Sequence, residues 1–135
     1  MTRHRYDCHV RFSDVDVYGH VNNVKYFEFY QEARLAFLSS LGRDPEDADS
    51  GLVVARIDVD YRRPILFRPE PYAVETWVSR VGTSSFGLQC EIRDGDEVYS
   101  RAKAVMVSFD MAAQRSRPLS NAERARLAAV VEPGE

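Results

Sequence analysis

The hydrophobic pattern changes its period once near the start of the chain. From Tyr6 to Phe12, apolar and polar residues alternate, which predicts a half-buried strand. Between Val24 and Leu41 the apolar residues follow helical spacing around most of the circumference, so we expect a helix that is buried on most sides. Asn22 or Asn23 is expected to cap its start, and Gly42 to end it.

After this helix and a predicted loop at 44–51, the chain returns to a period of two. Four further strands are predicted, at about 56–62, 72–81, 86–92 and 98–109. The Asp94-Gly95 pair marks a hairpin between the last two strands. Ser120 and Glu123 stand at capping-box spacing, which predicts a short C-terminal helix. This order favours an α+β fold in which an antiparallel sheet of five strands wraps one helix, with residues 1–135 forming a single domain.

Composition and charge narrow the functional class. The net charge of −3 over 135 residues argues against nucleic acid as the main partner, because such proteins normally carry a strong basic excess. No apolar run approaches the roughly 18–20 residues of a membrane span, and the N-terminus lacks the apolar core of a secretory signal. We therefore expect a cytoplasmic protein without a membrane partner. Cys8 and Cys90 are expected to be reduced, buried thiols.

A cluster of small polar residues stands directly in front of the predicted helix, in the stretch "DVDVYGHVNN" from Asp14 to Asn23. The start of a buried helix supplies unpaired backbone N–H groups and the positive end of the helix dipole. Small polar residues before it leave room for a ligand and let those amides point into a site. The pattern is typical of a site that stabilises negative charge.

The longer stretch "DVDVYGHVNNVKYFEFYQEAR" resembles the hotdog-fold acyl-CoA thioesterases of the 4-hydroxybenzoyl-CoA thioesterase-like family. The shared pattern is Asp-x-Asp-x-x-Gly-His-Val-Asn-Asn-x-x-Tyr, followed by an aromatic helix that carries Arg34. The later strands arrive in the family's order, and the "VGTSSF" turn at 81–86 is a weaker match. The resemblance implies the hotdog fold, a curved sheet wrapped around one long central helix. It also implies a homodimer or dimer of dimers joined near 56–62, with active sites at the subunit interface.

The resemblance further implies an acyl-CoA thioesterase that hydrolyses a thioester to free acid and CoA. Asp16 matches the family's catalytic carboxylate, which acts as nucleophile or as general base. The backbone N–H near Asn23 matches the oxyanion donor, and Gly19 matches the loop glycine that keeps the approach open. We expect no cofactor and no metal, because no His, Cys and Asp residues cluster at ligand spacing.

The remaining candidate site residues have roles that the sequence leaves open. His20 either polarises the carbonyl as a third catalytic residue or holds the loop. Asn22 and Tyr26 are candidate substrate contacts whose alternatives are helix capping and core packing. Ser84 and Ser85 lie in a turn whose backbone is a candidate contact for CoA phosphate.

The charged residues outside the loop divide into structural and substrate-binding candidates. Asp14 is expected to be structural, and Arg34 to pair with a carboxylate near the loop. Glu28 and Glu32 are minor candidates for a helix-borne catalytic glutamate. Candidate contacts for the phosphates of CoA are Arg56, Arg62, Arg63, Arg68, Arg80, Arg101 and Lys103.

Two other functions remain open from the sequence. A hotdog dehydratase or isomerase would need a different acid–base pair, and the usual histidine placement of those enzymes is not evident. An acyl-CoA-binding module without activity would gain nothing from a carboxylate beside the thioester. The acyl group, and the choice between CoA and acyl-carrier-protein thioesters, are not specified by the sequence.

Overall fold

The computed structural model describes residues 3–42 and 50–132. It is an α+β structure in which one face of an antiparallel sheet packs against a long helix. In chain order the elements are β1 (His4–Cys8), a 3-10 turn (Phe12–Asp14), α1 (Lys25–Ser40), β2 (Ser50–Tyr61), β3 (Tyr72–Val81), β4 (Ser85–Asp94), β5 (Glu97–Asp110), β6 (Arg115–Ser116) and α2 (Asn121–Ala128).

The sheet has the strand order β1-β3-β4-β5-β2, and β6 pairs with the end of β5. The predicted alternation in β3, β4 and β5 is confirmed, and so is the β4–β5 hairpin at Gly95. The sheet has six strands instead of the predicted five, because the two residues of β6 are too few to show a period. β2 forms an edge, and within the described ranges no strand pairs with its outer side.

The first strand is shorter than predicted. It ends at Cys8, because the chain turns into the 3-10 turn, where the Asp14 N–H donates to the Arg11 carbonyl at 2.9 Å. Val10 is still buried, but Phe12 is 80% exposed. The prediction relied on apolar spacing alone and therefore placed the end of this strand too far along the chain.

β2 is longer than predicted, because a bulge breaks its alternation. The register with β5 shifts between Val54 and Arg56, so Ala55 has no opposite residue. Val54 lies opposite buried Met106 and Ile57 opposite buried Ala104, so both face α1 although they are three residues apart. The predicted loop at 44–51 falls mostly on residues 43–49, which lie outside the described residues.

Helix α1 buries one face only, which corrects the expectation of burial on most sides. Its buried residues are Tyr26, Phe29, Tyr30, Ala33 and Phe37. On the opposite side Phe27 is 41% and Leu35 is 56% exposed. A single copy of the chain thus leaves an apolar strip of its main helix in contact with solvent.

The asparagine cap that the sequence predicts for the start of α1 is absent. The N-cap residue is Val24, and it makes no side-chain cap bond. The Asn22 carbonyl instead accepts a hydrogen bond from the Lys25 N–H at 2.9 Å, and both asparagine side chains are exposed. A backbone turn therefore begins this helix.

The core divides into two clusters along α1. Tyr30 and Val74 belong to the cluster at the start of the helix, whereas Phe37 and Phe86 belong to the cluster at its end. Leu127 of α2 belongs to the second cluster. The capping box predicted at Ser120, at the start of α2, is present. In the described ranges, none of the helices combines enough length and apolar character to span a membrane.

Candidate active site

Asp16 lies at the tip of a loop that folds back on itself between β1 and α1. One carboxylate oxygen, Oδ1, accepts hydrogen bonds from the N–H groups of Tyr18 at 2.9 Å and His20 at 3.2 Å. The Asp16 N–H donates to the His20 carbonyl at 2.9 Å. The other oxygen, Oδ2, has no hydrogen bond from any described residue, and the side chain is exposed. One oxygen thus holds the loop while the other is free to meet a substrate or a water.

Asp14 has the opposite environment and is fully buried. Its carboxylate accepts the Arg11 N–H at 2.8 Å and pairs with the Arg11 guanidinium at 2.9 Å, with the Lys25 ammonium 3.9 Å away. Burial acts to raise the pKa of Asp14, but the hydrogen bonds and charges of Arg11 and Lys25 outweigh it, so the pKa is lowered. These contacts agree with the structural role expected for Asp14.

The start of α1 carries backbone donors that the protein does not use. Among the described residues, the N–H groups of Asn23 and Val24 have no hydrogen-bond acceptor. The Asn23 carbonyl is held by the Tyr61 hydroxyl, which donates to it at 3.0 Å. Free amides at a helix start are suited to stabilise an oxyanion.

Tyr61 is a site residue that the sequence analysis missed. Its ring packs edge-on against Tyr26 with 4.7 Å between the centroids, and it comes from the edge strand β2. Tyr26 itself is buried, burial raises its pKa, and its hydroxyl approaches the Arg63 carbonyl at 3.5 Å. Tyr61 lies on the same side of β2 as Ile57 and Val59, because the three residues alternate along the strand. That alternation is the sequence signal that could have identified Tyr61 as a site residue.

Gly19 closes the turn behind Asp16. Its φ of +76° lies in the left-handed region, and its N–H donates to the Asp16 carbonyl at 3.0 Å. A Cβ at this position would meet nothing within 4 Å. The turn therefore requires glycine for its backbone conformation and not for lack of space.

The structure brings most of the predicted loop residues together. The His20 side chain is exposed, and its ring centroid lies 6.3 Å from that of Tyr18. The Asn22 N–H donates to the Asp14 carbonyl at 2.8 Å, which ties the loop to its buried base. His20 and Asn22 thus share with Asp16 a loop fixed mainly by backbone hydrogen bonds.

Ser84 and Ser85 are not near this loop within one chain. Their turn lies at the other end of α1, whose length of 16 residues corresponds to roughly 24 Å. Arg124 of α2 fixes the turn by donating to the carbonyls of Gly82 at 2.7 Å and Thr83 at 3.1 Å. The predicted site residues therefore form two groups at opposite ends of the subunit.

The predicted phosphate-binding residues also divide into two groups. Four of them are held in ion pairs, namely Arg56, Arg63, Arg68 and Arg101. Within the described ranges, Arg62, Arg80 and Lys103 have no such pair. Arg80 lies beside the distant turn, where its guanidinium is 3.4 Å from the Ser85 hydroxyl.

The expectation that Arg34 pairs with a carboxylate near the loop is wrong for the described residues. Asp14, the buried carboxylate of the loop, is taken by Arg11 and Lys25. Arg34 instead lines a cavity of about 660 Å³ between the second half of α1, the start of β2, and α2. Of the helix glutamates, Glu28 is exposed and pairs with Lys25, and Glu32 is exposed.

Exposed apolar side chains surround the Asp16 loop. Val17 is 94% exposed, Tyr18 is 80% exposed, and Phe12 packs edge-on against the half-exposed Phe67. Tyr61 continues this surface onto the edge strand. Such a patch around a polar loop is typical of a binding or subunit interface.

Comparison with known proteins identifies the family. A model of the thioesterase-like superfamily matches residues 10–127. The chain belongs to this family. It is 27% identical over 135 residues to the long-chain acyl-CoA thioesterase FadM of Escherichia coli (strain K12), a match that covers 91% of this chain and 96% of FadM. It is 35% identical over 79 residues to the uncharacterized protein YsmA of Bacillus subtilis (strain 168), covering 58% of this chain but only about half of YsmA, 53%.

Solved structures of thioesterases share the fold. The putative thioesterase PA2801 of Pseudomonas aeruginosa is 36% identical, with a TM-score of 0.80 over 90% of this chain and 95% of that one. A thioesterase of Thermus thermophilus, solved with coenzyme A and Zn, is 32% identical, with a TM-score of 0.79 over 93% and 91% of the two chains.

These matches confirm the predicted family, the hotdog fold class and the prediction of a thioester hydrolase. In the described ranges, no group of three or more His, Cys, Asp or Glu side chains is arranged to hold a metal ion.

Proposed function

We propose that this family member hydrolyses acyl-CoA thioesters to a free acid and CoA, with Asp16 as the catalytic carboxylate. The observation that carries the proposal is that one loop has a free carboxylate oxygen, Asp16 Oδ2, and leads directly into unused backbone donors at the start of α1. Hydrolysis of a thioester needs a carboxylate or an activated water on one side of the carbonyl and hydrogen-bond donors on the other.

In the proposed reaction, the thioester oxygen faces the N–H groups near Asn23 and gains negative charge as the carbonyl carbon is attacked. A donor aimed at such an oxyanion contributes about 2.7–4 kcal/mol to the transition state. Asp16 either attacks the carbon itself, forming an acyl-aspartyl anhydride that water then hydrolyses to the free acid, or takes a proton from a water that attacks the carbon. In both routes the C–S bond breaks and CoA leaves as a thiolate that takes up a proton. His20 is a candidate for polarising the carbonyl from the same loop.

CoA as the carrier of the acyl group is supported by the relatives. FadM is named as a long-chain acyl-CoA thioesterase, and the Thermus thermophilus structure contains coenzyme A. An acyl-carrier-protein thioester remains the alternative carrier. A CoA substrate fits the cytoplasmic location that the sequence predicts.

We propose that the working unit is a dimer joined through β2. Antiparallel pairing of two β2 strands over their full length would set Tyr61 opposite the start of β2 in the second copy. Tyr61 contacts Asn23 at the start of α1, whereas the start of β2 lines the cavity at the other end of α1. The dimer would therefore bring the Asp16 loop of one copy close to the cavity and the 82–85 turn of the other.

The test of the catalytic proposal is Asp16→Asn, assayed by thiol release from a panel of short, long and aromatic acyl-CoAs. The amide oxygen still accepts the Tyr18 and His20 bonds, so the fold should remain while turnover falls about 10²-fold or more. Asp7→Asn, which changes an exposed carboxylate on β1 at the opposite edge of the sheet from β2, is the matched control and should keep its turnover. Hydrolysis should survive a chelator, since neither proposed role needs a cation.

Near wild-type turnover in Asp16→Asn would overturn the assignment of Asp16. A wild-type protein that binds acyl-CoA in equilibrium dialysis but releases no thiol from any member of the panel would instead indicate a binding module.

A further inference from the structure

Arg34 is a positively charged residue on α1 at the boundary between the two clusters of the hydrophobic core. It lies between Tyr30 and Phe37, both of which are buried. Desolvation by burial lowers the pKa of Arg34, and Cys90 of β4 acts in the opposite direction with a smaller effect. A guanidinium remains protonated even so, because its pKa is so high.

The charge of Arg34 has no carboxylate partner among the described residues. Its expected partner Asp14 is fully engaged by Arg11 and Lys25. The carboxylate on the described cavity wall, Glu123, is held by Arg117 and by the Ser120 N–H. The guanidinium of Arg34 makes no hydrogen bond to a described residue, so it is free to pair with an anionic group that enters the cavity.

The cavity beside Arg34 is otherwise mostly apolar. Its volume of about 660 Å³ is typical of sites for small molecules. The apolar wall is formed by Leu35, Leu38, Val54, Phe86, Leu119 and Leu127. A ligand that matches this wall is an apolar chain, and a ligand that also matches Arg34 carries an anionic oxygen group on that chain.

We propose that this cavity binds the acyl part of the substrate and that Arg34 selects acyl groups with a carboxylate at the end far from the thioester. The inference rests on the proposed function, because the thioester end must lie at the Asp16 loop of a second copy. The terminal carboxylate would receive paired hydrogen bonds from the guanidinium, a geometry that arginine favours. The methylene chain between the two ends would lie against the leucine and phenylalanine side chains.

A binding experiment tests the site without requiring turnover. The probes are the monomethyl ester of octanedioic acid and methyl octanoate, each titrated into the full chain by calorimetry. The ester end of both probes imitates the thioester and carries no charge, so it forms no ion pair with Arg34. The carboxylate-bearing ester should bind about tenfold more tightly or better. Equal affinity, or a preference for methyl octanoate, would overturn the proposal.

Variants then assign the preference to Arg34. Arg34→Leu should reverse it and Arg34→Lys should keep part of it. Arg115→Leu, which changes an exposed arginine of β6 that does not line the cavity, is the control and should leave it intact. Circular dichroism checks the fold of each variant, and Arg34→Gln, which stays polar, replaces Arg34→Leu if the latter does not fold. Loss of the preference in Arg115→Leu, or its survival in Arg34→Leu, contradicts the assignment.

A further variant tests for a partner inside the chain. It neutralises the acidic residues between Gly42 and Ser50, which are Asp44, Glu46, Asp47 and Asp49. Wild-type affinity for the carboxylate-bearing ester is expected. A preference that emerges only in this variant would show that the chain itself supplies the carboxylate, and would overturn the proposal.

The hydrolysis of octanedioyl-CoA and octanoyl-CoA provides the link to function. The ratio of their kcat/KM values should favour octanedioyl-CoA by about tenfold and fall below one in Arg34→Leu. If neither thioester is hydrolysed but the ester preference depends on Arg34, the site stands and the proposed function fails. If both are hydrolysed without preference, the proposed function stands and the role of Arg34 fails.

Discussion

At the scale of single residues, the loop gives two aspartates, two positions apart, opposite environments. Asp14 is fully buried and neutralised by Arg11, while Asp16 is exposed with one oxygen free. The sequence distinguished their roles only through the family resemblance, because two aspartates in one loop have the same turn and helix propensities. What separates them is the 3-10 turn that folds Arg11 over Asp14, and that turn was not predicted.

Asp14→Asn should therefore destabilise the protein. At neutral pH the loss is expected to be about 1–3 kcal/mol of unfolding free energy, because Arg11 and Lys25 lose their buried charged partner. Since the folded pKa lies below the unfolded value of about 3.9, the contribution of Asp14 is complete above that pH and is lost as the pH falls through the folded pKa. Urea unfolding between pH 7 and pH 3 should show the wild type and the variant converging at the acid end.

Both proteins should lose further stability in acid, because Glu123 contributes in the same direction, but this loss is common to the two and cancels in their difference. Burial acts to raise the pKa of Glu123, but hydrogen bonds from Ser120 and Arg117 lower it overall. Asp7→Asn, which changes an exposed carboxylate on β1, serves as the control and should cost under about 1 kcal/mol at any pH. A difference between wild type and Asp14→Asn that stays constant down to pH 3 would contradict the role of the Asp14 charge.

Gly19→Ala should separate loop geometry from stability. The left-handed φ costs a residue with a Cβ about 1–2 kcal/mol, and relief of that strain would move the backbone that holds Asp16. We expect thiol release to fall further than the loss of stability explains. Gly95→Ala is the matched control, because Gly95 has a φ of +58° and equally open surroundings in the β4–β5 hairpin. Equal activity in the two variants would argue against a special role for the Gly19 turn.

At the scale of elements, short-range signals predicted structure well where both partners of an interaction lie close in sequence. The capping box of α2 is one case, since Ser120 and Glu123 are three residues apart and bond as expected. The β4–β5 hairpin is another. The start of α1 was mispredicted, because a backbone turn at Asn22 replaced the expected side-chain cap, and the end of β1 was mispredicted because its apolar spacing continues into a turn.

Ser120→Ala tests the capping box as a link between α2 and the distant turn. Loss of the hydroxyl acceptor for the Glu123 N–H should cost about 1 kcal/mol and lower the melting temperature by a few degrees. Asn121→Ala, on an exposed neighbour, is the control. Because Arg124 of the same helix holds the carbonyls of Gly82 and Thr83, loosening α2 should also raise KM for acyl-CoA. An unchanged melting temperature would mean that the cap contributes nothing to this helix.

At the scale of the whole molecule, the sequence predicted the order of strands and helices but not which side chains meet at the site. The two groups of predicted site residues lie at opposite ends of one subunit, and the exposed strip of α1 and the edge of β2 have no cover in a single chain, as far as the described residues extend. Local periodicity cannot reveal this, because it depends on how copies of the chain assemble. The resemblance predicted an interface-built site, and that prediction is open to a direct test.

Mixing two inactive variants distinguishes a site shared between copies from a site within one chain. Asp16→Asn removes the proposed carboxylate, and Ser84→Asp sets a negative charge where the phosphates of CoA are proposed to bind. In a mixed dimer whose sites combine the Asp16 loop of one copy with the 82–85 turn of the other, one of the two sites regains both wild-type parts. Random subunit exchange should then restore up to about a quarter of the wild-type activity.

If each chain instead holds a complete site, every site in the mixture keeps one defect and no activity returns. The assembly itself is measured by light scattering, where a mass near twice the 15.4 kDa of the chain, or near four times that value, is expected. The exposed strip of α1 and the unpaired edge of β2 supply the apolar area and the backbone donors for such an interface. A monomer at micromolar concentration that still hydrolyses acyl-CoA would contradict the shared site, since the Asp16 loop would then act without the cavity and turn of a second copy.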